Sequence, residues 1–109
     1  MVSNFLKSRL QVHLNLLDSY LNEQREWKIK ILETEKFINI LSTNACNFDD
    51  SFSPYQSDNV DLKKIIELRS ELRLAREKMN DCLHKIDEES SLIEQYKSAI
   101  IEVELLENK

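Results

Sequence analysis

The sequence predicts an all-α fold, an antiparallel helical hairpin or coiled coil, from three observations. Glycine is absent and proline occurs once, so sheet turns and phosphate-cradling loops lack the residue that takes up positive φ. Two long stretches place apolar residues at alternating steps of three and four, the spacing of a coiled-coil or bundle seam. Between them lies a turn-rich segment that holds the one proline, Pro54. With 32% of residues charged and 109 residues in all, the chain is expected to form a single elongated domain over 1–109 with little interior and no deep small-molecule pocket.

The first helix is expected over 4–42, capped by Ser3 or Asn4. Its seam runs Leu6, Leu10, His13, Leu17, Tyr20, Gln24, Trp27, Ile31, Thr34, Ile38 and Leu41. Leu14 and Leu21 widen the stripe, as in a helix that meets more than one neighbour. Gln24 is the polar residue in the middle of this line. Either it specifies register, because a buried amide disfavours misaligned pairings, or it faces the rim. Tyr20 and Trp27 share a face; they are core residues or, where uncovered, an aromatic partner site.

A loop is expected over 43–58. Within it, Phe48 to Tyr55 combines aromatics, acids and a Ser-Pro step. It reads as a hairpin tip, as a docking motif, or as a proline-directed phosphorylation site at Ser53.

The second helix is expected over 59–107, started by Asp58 or Asn59, with Asp61 in the first turn where the helix dipole favours negative charge. Its seam is the longer: Ile65, Leu68, Leu72, Ala75, Met79, Cys82, Ile86, Glu89, Ile93, Tyr96, Ile100 and Val103, with Glu89 alone polar. About 49 residues at 1.5 Å each give roughly 74 Å of helix. That would overhang the first helix and leave its acidic end for something else to cover. Ser91-Leu92-Ile93-Glu94 fits a capping box in the least apolar stretch, 87–91. A break there would make a three-helix bundle with its last helix at 92–107, whereas the register runs straight through and predicts an unbroken helix.

Charge narrows the partners. The net charge of −5 is spread as +1 over 1–42, −3 over 43–58, +2 over 59–86 and −5 over 87–109. That pattern disfavours nucleic acid and anionic lipid and permits a basic partner surface. Lys63, Lys64, Arg69, Arg73, Arg76 and Lys78 are interleaved with Glu67, Glu71 and Glu77, which predicts a solvated face of i,i+4 pairs. Cys46 and Cys82 form no CxxC pair and read as reduced thiols. No secretory signal and no membrane span is read, so cytoplasm or nucleus is expected. His13 on the apolar line reads as a hydrogen-bonded or rim histidine, and His84 as solvated. Neither has metal-ligand spacing, and no nucleophile–base arrangement is suggested. No catalysis, metal or cofactor is expected.

At Asp61-Leu62-Lys63-Lys64, followed by Glu67, Leu68, Glu71 and Arg73, the chain resembles the tubulin-binding cofactor A family of tubulin-specific chaperones. Tyr20 with Glu23, and Tyr96-Lys97, extend the resemblance along both helices. It implies β-tubulin as the partner and polar helix faces carrying Tyr20, Glu23, Lys63 and Lys64 as the contacts. Three departures stand beside it: a longer interhelical loop, no proline within the second helix, where Arg76 to Asp81 stand instead, and a shorter remainder after Lys64.

The residues themselves point first to a non-catalytic helical interaction protein, a small subunit of a eukaryotic heteromeric coiled-coil assembly of kinetochore, tethering or mediator type. Helical partners would bind through the apolar seams. The alternative is a β-tubulin-binding folding chaperone. Partner-binding candidates are Tyr20, Glu23, Gln24, Trp27, Lys63, Lys64, Tyr96, Ile100 and Val103.

Overall fold

A computed structural model of the chain describes residues 1–49 and 58–109. It shows a helical hairpin of two α-helices, α1 (Val2–Asp49) and α2 (Asp58–Glu107). Every position of both seams is buried or half-buried. The three-four spacing therefore identified the right face of α1 over 6–41 and of α2 over 65–103.

α1 exceeds its expected bounds of 4–42 at both ends. At the C-terminal side, Ser42, Thr43, Asn44 and Asn47 are turn-prone, yet each costs less than about 1 kcal/mol relative to alanine inside a helix. Extending a formed helix is far easier than nucleating one, and no glycine or proline precedes Pro54. Residues 43–49 are accordingly helical rather than loop. Ser53 and the rest of 50–57 lie outside the described residues.

At the N-terminal side, Phe5 N–H already donates to the Met1 carbonyl at 3.2 Å. Ser3 is buried and does not cap its own helix. Its hydroxyl donates to Glu107 Oε2 at 2.9 Å, and its N–H to Glu107 Oε1 at 3.5 Å. The end of α2 thus supplies the acceptor that the first turn of α1 needs, with the negative charge where the helix dipole favours it. Lys7 and Glu104 make a further pair at 2.8 Å. The acidic end of α2 does not overhang; the first turns of α1 pair with it.

α2 is unbroken through 87–91. Glu89, the residue that spoils its seam, is held in place by a partner on α1 (below), and Ser90 and Ser91 stay exposed.

The hairpin divides into two compact units, one of Met1–Arg25 with Asn80–Lys109, the other of Glu26–Met79. The second has an aliphatic core of Ile38, Ile65, Leu68 and Leu72, with Ile31 and Leu41 packed against it. Thr34 is buried on the same line; its hydroxyl donates to Lys30 O at 2.7 Å, so no polar group is left unmet. The first unit buries Cys82, Ile93 and Ile100 around a polar layer.

Candidate functional site

In the first unit, one polar residue of each seam meets the other, His13 of α1 and Glu89 of α2. His13 Nδ1 and Glu89 Oε2 lie 2.6 Å apart, with side chains only 12% and 13% exposed. Tyr96 stacks on the imidazole at 5.3 Å between centroids and 25° between planes. A charge-assisted contact this short and this sheltered constrains geometry strongly, because a shift of either helix would strand one buried polar group. Two turns away, the Cys82 thiol donates to the Tyr20 carbonyl at 3.1 Å. Burial pushes this thiol above its ordinary pKa, the Glu23 carboxylate adds to the effect, and Lys85 opposes it. A thiol held neutral and buried is a packing group rather than a nucleophile.

The remaining candidates divide by exposure. Tyr20 is half-buried, with the Lys85 ammonium 5.6 Å from its ring centroid. Glu23 and Gln24 are half-buried. No buried side-chain nitrogen or oxygen among the described residues lacks a partner, so the Gln24 amide reaches the rim, and it is His13 and Glu89 that form the polar layer of the seam. Ile100 is 8% exposed, and Tyr96 and Val103 are half-buried in the same line; all three spend their apolar surface inside the hairpin.

In the second unit, Trp27 is half-buried, with Lys30 Nζ 5.9 Å from its ring centroid. Lys63 and Lys64 are exposed. With Asp61 and Glu67 they line an open groove of about 380 Å³ whose apolar side chains are Phe37, Leu41 and Val60. Phe37 is 47% and Val60 67% exposed, so this groove carries apolar surface that the hairpin leaves uncovered. The signal for it lay in the sequence as apolar residues one or more positions off the seam, a pattern that the seam itself hides.

The expected i,i+4 ion pairs of α2 do not form as drawn. Lys64 approaches Glu67 at 3.9 Å, an i,i+3 contact, and Arg76 reaches across to Glu35 on α1 at 2.8 Å. Arg69 and Arg73 make no ion pair among the described residues. Arginine conformers that turn outward toward water lose little at an exposed site.

Among the described residues, no group of three or more His, Cys, Asp or Glu side chains is placed to hold a metal ion. No helix there is long and apolar enough to cross a membrane. No protein-family model, curated protein or solved structure matches the chain.

Proposed function

We propose that the chain is a non-catalytic helical-hairpin interaction protein, a small subunit of a eukaryotic heteromeric coiled-coil assembly of kinetochore, tethering or mediator type, working in cytoplasm or nucleus. The observation that carries this reading is the groove of the second unit. There, Phe37 and Val60 stay open to solvent beside Leu41 while the seam residues of both helices are already engaged. A partner helix laid in that groove would cover the apolar side chains and meet a rim of both signs, Lys63 and Lys64 beside Asp61 and Glu67.

The test is native co-purification of the tagged chain, compared with a Phe37→Asp/Val60→Asp variant. The reading expects a fixed set of stoichiometric helical partners with the wild-type chain. It expects those partners to be lost from the variant while its circular dichroism is unchanged. A wild-type chain recovered alone contradicts the reading.

The β-tubulin chaperone reading draws support from the same rim, because Lys63 and Lys64, the residues that carry the resemblance, are both exposed. Under it, purified β-tubulin binds the isolated chain, and Lys63→Glu/Lys64→Glu abolishes the binding. Absence of binding at any tested concentration removes it.

A further inference from the structure

α2 carries an exposed basic ridge and, further along, an exposed apolar ridge that holds a single carboxylate. In the second unit, Leu62, Ile66, Arg69, Arg73 and Arg76 follow at steps of four and three, which aligns them along one flank of the helix. Leu62 is 50% and Ile66 66% exposed, and no acidic residue stands on this flank. Arg76 shows what the ridge takes when a carboxylate is within reach, since it pairs with Glu35 at 2.8 Å. Arg69 lines a hollow of about 270 Å³ with Asn39 and with Glu35, whose carboxylate is taken by Arg76, and neither Arg69 nor Arg73 has an ion-pair partner among the described residues. The other flank of α2, with Lys64, Glu67, Glu71 and Lys78, mixes both signs and selects nothing.

In the first unit, α2 presents the complement. Glu94, Ser98, Ile101 and Leu105 follow at steps of four, three and four. Ile101 is 61% and Leu105 63% exposed. Glu94 has a 3.7 Å contact with Lys97 of its own helix, which leaves its carboxylate open to a stronger cation.

We propose that the basic ridge of one copy docks on the Glu94 ridge of a second copy, α2 against α2 in antiparallel sense. Leu62 then meets Leu105, Ile66 meets Ile101, and Arg73 meets Glu94. One register serves all three pairs. From Leu62 to Ile66 to Arg73 the chain counts four and then seven residues, and from Leu105 to Ile101 to Glu94 it counts four and then seven the other way. The apolar pairs supply the attraction, and the charge pair sets the register and rejects the parallel alternative. With the roles exchanged the contact repeats, so copies close into a dimer or extend into a chain. This self-contact goes beyond the heteromeric role above and does not depend on it.

Sedimentation equilibrium over a range of concentrations tests it, with circular dichroism of each sample to verify the helix. The wild-type mass rises from one chain, 12.9 kDa, to at least two. Arg73→Glu and Glu94→Arg each stay at one chain mass with unchanged helix. An equimolar mixture of the two variants associates again, because each supplies the charge the other lost. Ile66→Ser keeps the charges and weakens association by about tenfold or more. A wild-type chain that remains at one chain mass throughout overturns the proposal. So does association that neither charge reversal weakens, or a mixture of the two variants that stays dissociated.

Discussion

The two units of the hairpin use the same seam spacing for different ends. The second is closed by aliphatic side chains, Ile38 against Ile65, Leu68 and Leu72, which interlock loosely in register because one branched apolar residue substitutes for another at small cost. The first places His13, Glu89 and Tyr96 in its interior and ends in the directed contacts of Ser3 with Glu107 and Lys7 with Glu104. Such groups tolerate one alignment. The aliphatic unit supplies cohesion, and the polar unit specifies which residues lie opposite which.

The largest effect should come from breaking cohesion. Leu72→Asp places a charge where the side chain is 9% exposed, at a cost of more than about 4 kcal/mol from lost packing and the buried charge together. That is comparable to the whole stability of a small domain. Thermal melts followed by circular dichroism should lose their cooperative transition. A variant that still melts sharply would mean that Leu72 is not on the buried face.

Breaking the polar layer should cost less and show a different signature. Glu89→Leu leaves the His13 imidazole in the seam without its acceptor, at about 1–3 kcal/mol. Adding His13→Leu removes the orphaned group and should recover part of that loss. A denaturant-melt double-mutant cycle reads the difference. Additive single effects would show that the pair is not coupled.

Smaller again is the thiol. Cys82 is 2% exposed and bonded to Tyr20 O, so Cys82→Ala should cost about 1 kcal/mol. In the native protein Cys82 should react with thiol reagents only as fast as the unit opens. Prompt labelling at neutral pH would contradict its burial.

The smallest effect is at the helix ends and is read through pH. The Ser3 hydroxyl, foremost, holds the Glu107 carboxyl below its ordinary value. A carboxyl depressed in the folded state stabilises it above the unfolded pKa, and that contribution is lost as pH falls through the lowered value. Lys7 has the opposite sign. Its hydrogen bond to Glu104, above all, raises its pKa, so its contribution is present below the ordinary lysine value and lost as pH rises through the raised one. Both contacts are therefore intact at neutral pH. Ser3→Ala should narrow the gap in midpoint between neutral and acid melts, and an unchanged gap would remove Glu107 from the account.

The fold was legible because burial repeats. Each seam residue had neighbours three and four away to corroborate it, and Ile65 to Val103 declared one face without reference to any other part of the chain. What stood opposite that face was not legible. His13 and Glu89 each appeared as an isolated flaw, and only the alignment of the two helices turns two flaws into one contact. The start of α1 misled for the same reason: Ser3 looks like a local cap, and its acceptor lies 104 residues on. The end of α1 misled because turn-prone residues bias a helix weakly and do not stop it. The candidate surface was legible least, since Phe37, Val60 and Ile66 matter by being off the pattern that identified everything else.

The central claim is that His13 and Glu89, one polar residue from each seam, form one layer within a single chain. Nuclear Overhauser contacts between the His13 and Tyr96 rings, recorded on a sample mixed from labelled and unlabelled chains, test it most directly. The account predicts a strong contact between these rings within one chain, together with contacts from His13 to the Glu89 side chain. Contacts from the His13 ring to a different turn of α2, or found only between labelled and unlabelled chains, would contradict it.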